Sequence, residues 1–114
     1  MSVEFPMWKD GHKRLLDVVL PRVPEGLRWR LRWFDGVVHA TYGGAPPIDT
    51  HVDIAFSDAE LQRLAASLGD LNDIALSATC PDGFLEVECE DSGRWIIRGS
   101  GSLAAVEDRF HDLM

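Results

Sequence analysis

The sequence predicts a single α+β domain spanning residues 1–114: an antiparallel, twisted sheet of about six or seven strands with two helices, near residues 58–68 and 102–113, packed on one face. Three observations lead there. Apolar and charged residues alternate with period two in Arg28-Trp29-Arg30-Leu31-Arg32-Trp33, in His51 to Phe56 and in Leu85-Glu86-Val87-Glu88-Cys89-Glu90. Ser57-Asp58-Ala59-Glu60 spells a capping box and is followed by leucines at helical spacing. A chain of 114 residues is about one domain and can bury roughly two-thirds of its unfolded surface.

Taken in order, Leu15-Leu16-Asp17-Val18-Val19-Leu20 reads as a first strand ended by Pro21, and Pro24-Glu25-Gly26 turns the chain. Arg28 to Tyr42 reads as a hairpin about Asp35-Gly36, a dipeptide suited to a type I′ turn. That turn would set Trp33 opposite Val38, Leu31 opposite Ala40 and Trp29 opposite Tyr42. Trp29, Leu31 and Trp33 are then core, and Arg28, Arg30 and Arg32 form a basic row on the other face. Gly43-Gly44-Ala45-Pro46-Pro47 is a loop too short to separate domains. His51 to Phe56 is a further strand, with Val52, Ile54 and Phe56 on one side.

The helix from Asp58 to Leu68 buries Leu61, Leu64, Ala65 and Leu68, with Gly69 expected at the C′ position. Matching core faces predicts a loop Pro81-Asp82-Gly83-Phe84 with Cys80 opposite Leu85 and Leu76 opposite Cys89. It also predicts a three-residue loop, Asp91-Ser92-Gly93, with Gly93 left-handed. Cys89 then pairs with Trp95, Val87 with Ile97, Glu90 with Arg94 and Glu86 with Arg98. Cys80 falls roughly 13 Å from the residue opposite Cys89, so both thiols are expected free. After the breaker Gly99-Ser100-Gly101-Ser102, a second amphipathic helix buries Phe110 and Leu113.

The net charge of −8 is uneven: residues 1–48 carry seven Lys/Arg against five Asp/Glu, residues 49–114 four against fourteen. Polyanions and anionic membranes are unfavourable partners for most of this surface, whereas a basic protein is attracted and steered. No signal peptide or bilayer-length apolar run is present, and two unpaired cysteines suit the cytosol. Nine Arg against two Lys and one Asn suggest GC-rich, bacterial coding.

Catalytic constellations are missing from the pattern. Asp49, His51 and Asp53 could share a strand face, but a solvated edge strand explains them and no metal site is expected. His12, His39 and His111 bear no spacing relation to one another. Cys80 and Cys89 occupy inward positions, Ser57 is a cap and Ser92 a turn residue. Gly99-Ser100-Gly101 lacks the residues of a phosphate loop, and no cofactor is expected. Strict alternation puts the arginines and tryptophans of 28–33 on opposite faces, which argues against a nucleic-acid platform. An acidic stripe of Glu86, Glu88, Glu90 and Asp91, with Asp70, Asp73 and Asp82 in nearby loops, reads as either a solvated face or a surface for a basic partner.

An early meander, the helix opened by Phe56-Ser57-Asp58-Ala59-Glu60-Leu61, the stretch Leu85 to Arg98 and a terminal helix together resemble small cytosolic immunity proteins of bacterial polymorphic-toxin systems, over roughly residues 48–114. The resemblance implies a non-enzymatic, acidic inhibitor that binds a toxin domain. The expected binding residues are Glu86, Glu88, Glu90, Asp91, Asp70 and Asp73. The alternative is a structural or adaptor subunit of a phage or secretion assembly, with Arg28, Arg30 and Arg32 as its interface.

Overall fold

In the computed structural model, which describes residues 2–38 and 54–114, the chain opens with a strand that the sequence pattern did not single out. Strand β1 (Val3–Pro6) buries Val3 and Phe5 and lies antiparallel on β8 (Arg94–Gly101), Val3 opposite Ile97 and Phe5 opposite Trp95. A two-strand ribbon follows, β2 (Trp8–Lys9) with β3 (His12–Lys13). Asp10 and Gly11 turn it with φ of 52° and 78°, the signature of a type I′ turn.

The predicted strand at 15–20 is instead helix α1 (Leu16–Val19), continued by a 3-10 turn over Leu20–Arg22. Leu16, Val19 and Leu20 are buried together while Asp17 is exposed, which is helical spacing. Pro21 sits in the first turn of the 3-10 segment, where its missing N–H costs nothing. The turn expected at Pro24–Gly26 is present, with Gly26 at φ 79°.

Strand β4 (Arg28–Val38) runs straight through Asp35-Gly36, so the expected hairpin is not there. On one side β4 pairs with β6 (Leu68–Cys80), on the other with β5 (Ile54–Phe56): Trp29 lies between Ala78 and Phe56, and Leu31 between Leu76 and Ile54. Both edges of these residues are therefore taken; Ala40 and Tyr42, expected opposite them, lie outside the described residues. Register jumps from Leu31–Leu76 to Trp33–Ala75, leaving Arg32 as an extra residue in a β-bulge. The bulge resets the alternation. Phe34 turns inward and Trp33, expected in the core, is 38% exposed, while Trp29 and Leu31 are buried as expected.

Helix α2 (Asp58–Ser67) begins with the predicted capping box: Glu60 N donates to Ser57 Oγ, and Ser57 N to Glu60 Oε1, both at 3.2 Å. It does not end on a left-handed Gly69. Leu68 is already extended at φ −70°, ψ 125°, and the chain passes directly into β6, so Asp70 and Asp73 belong to a strand and not to loops. Two further register shifts leave Gly69 and Asn72 unmatched, which is why Leu68, Leu71 and Ile74 are buried at a spacing of three within a strand.

Strand β7 (Gly83–Glu90) meets β6 through a two-residue loop, Pro81-Asp82, with Cys80 opposite Gly83, Leu76 opposite Val87 and Ile74 opposite Cys89. The predicted pairing was two residues out. A slip of two preserves which side chains face the core, so apolar matching cannot detect it; the turn decides. Here the loop is held by Ser102, whose Oγ donates to Asp82 Oδ1 at 2.7 Å and whose N–H donates to Asp82 O at 3.0 Å. The β7–β8 register is as predicted in all four pairs. Its turn is not: the left-handed residues are Asp91 and Ser92, at φ 53° and 56°, closed by Gly93 N to Glu90 O at 2.8 Å, and Gly93 is not left-handed.

Gly99 to Gly101 extend β8 instead of breaking the chain, and residues Ala104–Leu113 form a 3-10 helix with Phe110 buried and Leu113 half-buried. Phe110 stacks on Phe5 with centroids 5.8 Å apart. The strand order is β1-β8-β7-β6-β4-β5, all antiparallel. One core unites the inward sheet residues with Leu16, Val19, Leu61, Leu64, Val106 and Phe110, so the helices lie on one face. The fold class is the α+β sheet-and-helix architecture predicted from the sequence.

Candidate partner-binding face

No described helix covers the other face of the sheet. Its side chains follow from register. One cross-strand row holds Arg30, Ser77, Glu86 and Arg98; the next holds Trp33, Ala75, Glu88, Ile96 and Glu4; a third begins with Asp35 opposite Asp73. Arg28, Thr79, Phe84 and Ser100 form the row at the opposite end. Ile96, in the middle row, is only 3% exposed yet lies outside the main core, packed on this face. Trp33, Val37 and Phe84 are 38%, 57% and 39% exposed, so the face mixes apolar surface with charge.

The face is also polar from end to end. Arg28, Arg30 and Arg32, all exposed, occupy one half of β4. Asp35 on β4, Asp70 and Asp73 on β6, and Glu90 and Asp91 at the tip of β7 occupy the other end. Ion pairs partly neutralise it: Arg94 lies 3.4 Å from Glu4 and 3.7 Å from Glu90, and Arg98 lies 3.4 Å from Glu86. Among the described residues Glu88 makes no ion pair, and nor do Arg28, Arg32 and Asp35. Asp35 faces Asp73 directly across the ladder, a like-charge pair that destabilises unless a cation is near. Asp73 Oδ1 accepts the Asp91 N–H at 2.9 Å.

At the acidic end a half-buried network pins the β2–β3 ribbon to the sheet. Lys13 Nζ stands 2.6 Å from Asp70 Oδ1 and 3.1 Å from Ser92 Oγ, beneath the Trp8 ring at 5.5 Å. Ser92 Oγ donates in turn to Asn72 Oδ1 at 2.7 Å. The Lys13 hydrogen bond holds the Asp70 carboxyl below the usual range, and the ammonium committed to that carboxylate is a cross-link between ribbon and sheet. Cys89 is buried, and desolvation, with Asp73 adding to it, pushes its thiol up to about 12. Cys80 is half-exposed beside Asp82 and Ser102, at 3.4 Å and 3.2 Å. Both thiols are free, as expected.

Of the expected binding residues, the fold brings Glu90, Asp91, Asp70 and Asp73 to one end and leaves Glu86 and Glu88 toward the middle. The separation of arginines from tryptophans needs correction, because the bulge puts Trp33 on the arginine face; Trp29 remains inward. Nothing in the sequence announces that bulge, whereas Ile96 as an outward apolar residue was legible in Trp95-Ile96-Ile97. Asp49, His51 and Asp53 lie outside the described residues. Among the described residues no group of three His, Cys, Asp or Glu is placed to hold a metal ion, and no helix is long and apolar enough to cross a membrane. Comparisons with protein-family models, curated proteins and solved structures find no match to this chain.

Proposed function

We propose that the protein is a non-enzymatic cytoplasmic binding protein, an immunity or antitoxin-like inhibitor that captures a basic toxin domain on the sheet face opposite the helices. The observation that carries this reading is the opposition of Asp35 and Asp73 beside Asp70, Glu90 and Asp91. Carboxylates so crowded favour a cationic occupant, and a negative surface raises association rates with basic partners at low salt. The apolar side chains Trp33, Val37 and Phe84 supply desolvated contact area on the same face.

The test is co-expression with a toxin domain encoded by a neighbouring reading frame. Rescue of growth is expected from the wild type. Asp35→Asn, Asp73→Asn, Glu86→Gln, Glu88→Gln, Glu90→Gln and Asp91→Asn combined should leave the fold intact and slow association, with a shallower salt dependence. Asp91→Asn is compatible with the fold because asparagine tolerates the left-handed conformation that Asp91 adopts. Equal capture by both proteins would sink the acidic-face reading. It would move the interface to Arg28, Arg30 and Arg32 and favour a subunit of a larger assembly.

A further inference from the structure

We propose that Asp10-Gly11, at the tip of the β2–β3 ribbon, is a site of spontaneous isoaspartate formation, and that this modification withdraws Lys13 from Asp70. The chemistry needs only the chain and water. The Gly11 nitrogen attacks the Asp10 side-chain carbonyl carbon, an N–Cγ bond forms, and the carboxyl hydroxyl leaves with the amide proton as water. Water then opens the resulting succinimide. Attack at Cγ restores aspartate, whereas attack at the main-chain carbonyl leaves the backbone running through Cβ and Cγ, with a free α-carboxylate. Glycine favours ring closure because no Cβ shields its nitrogen.

The chain holds the same dipeptide at Asp35-Gly36 and Asp82-Gly83, and what separates the three is freedom to turn the Asp Cα–C bond until nitrogen and Cγ meet. Asp10 and Gly11 are exposed, a Cβ on Gly11 would meet nothing within 4 Å, and the Asp10 carboxylate makes no hydrogen bond or ion pair among the described residues. The strands they join are two residues each, and so short a hairpin is marginal on its own, so the tip opens without disturbing the sheet. At Asp35-Gly36 the same rotation would part β4 from β6, where Asp35 faces Asp73 and Gly36 faces Leu71. At Asp82-Gly83 the carboxylate accepts the Ser102 hydroxyl at 2.7 Å, the Asp82 carbonyl accepts the Ser102 N–H at 3.0 Å, and Gly83 is paired with both Cys80 and Gly101. The Ser102 hydrogen bond, ahead of that from Cys80, also holds the Asp82 carboxyl below the usual range, in the ionised form that is slow to lose its oxygen.

A backbone lengthened at the tip no longer fits the type I′ turn that closes Lys9 on His12 and Trp8 on Lys13. Lys13 then leaves Asp70 Oδ1 and Ser92 Oγ, the contacts that tie the ribbon to the sheet, while the ribbon's base stays fixed by Met7 N–H to Gly93 O. None of this rests on partner capture, because it is read on the isolated chain. The experiment is prolonged incubation of the folded protein at physiological temperature and pH, then proteolysis, chromatographic separation of peptides of equal mass and Edman degradation, which halts at isoaspartate. Asp10 should convert faster than Asp35 and Asp82 by on the order of tenfold or more, because opening the tip takes a small part of global unfolding. In guanidinium-unfolded protein the three sites should convert at similar rates. In the isomerised fraction the Asp70 carboxyl, held below the usual range by Lys13, should rise toward an ordinary aspartate in an NMR titration. A folded chain in which Asp10 does not convert, or in which Asp35 or Asp82 keeps pace with it, overturns the site. An isomerised fraction in which Asp70 titrates as before overturns the withdrawal of Lys13.

Discussion

Gly36 on β4 faces Leu71 on β6 so closely that the carbonyl oxygen of Asp70 lies 2.7 Å from where a Cβ would stand. The glycine serves close approach of two backbones at a bulge, not a left-handed turn. Gly36→Ala should therefore destabilise by about 1–3 kcal/mol through overpacking against backbone. Gly11→Ala meets nothing within 4 Å and should cost only the strain of its φ of 78°, about 1 kcal/mol. Urea midpoints of the two variants check the ranking, and the reverse order would restore the turn reading of Asp35-Gly36.

Trp29 and Trp33 separate the consequences of the bulge. Trp29 is 1% exposed, so Trp29→Ala should cost about 3–5 kcal/mol, whereas Trp33→Ala at 38% exposure should cost about 1 kcal/mol. Trp29 also buries an indole N–H with no partner among the described residues, so Trp29→Phe should be the mildest change at that site. Similar losses for the two alanine variants would mean that Trp33 packs as deeply as Trp29.

The contrast between these residues shows what the sequence discloses. Alternation located β4, β7 and β8, and matching core face to core face set the β7–β8 register, from which the outward pairs Glu90–Arg94 and Glu86–Arg98 followed. The bulges at Arg32, Gly69 and Asn72 carry no composition signal, since they depend on what the facing strand offers. Three Asp-Gly dipeptides look alike in sequence: Asp10-Gly11 and Asp82-Gly83 lie at chain reversals, whereas Asp35-Gly36 is flanked on both sides by residues that pair with β6. Most acidic residues of the proposed binding face were named from the sequence; Asp35 was missed because it read as a turn residue. The gathering of carboxylates at one end of the sheet was not legible either, because Asp70 and Asp73 read as loop residues.

The Ser57–Glu60 box is reciprocal and lies at the helix entry, so Ser57→Ala should lower stability by about 1 kcal/mol. The hydrogen bonds from Ser57 hold the Glu60 carboxyl below its usual range, and Ser57→Ala should let it rise toward an ordinary glutamate when followed by NMR titration. An unchanged unfolding midpoint together with an unshifted Glu60 titration would remove the cap from the account.

Cys80 and Cys89 should differ sharply toward a thiol reagent. Cys80 is half-exposed and should react in the native state, while Cys89, 2% exposed, should react only on unfolding. Burial also gives Cys89 a pH signature. Its thiol is pushed up to about 12 in the folded chain from an ordinary 9.0, so the folded state holds its proton where the unfolded state has lost it. The stability this contributes is complete below pH about 9 and is lost as pH rises toward about 12, with a limiting slope of about 1.4 kcal/mol per pH unit. Cys89→Ala removes this component, so the stability gap between wild type and variant should narrow steadily above pH about 9. A gap that stays constant across that range would mean that the thiol ionises as readily in the folded chain as in the unfolded one, and that Cys89 is not buried beside Asp73.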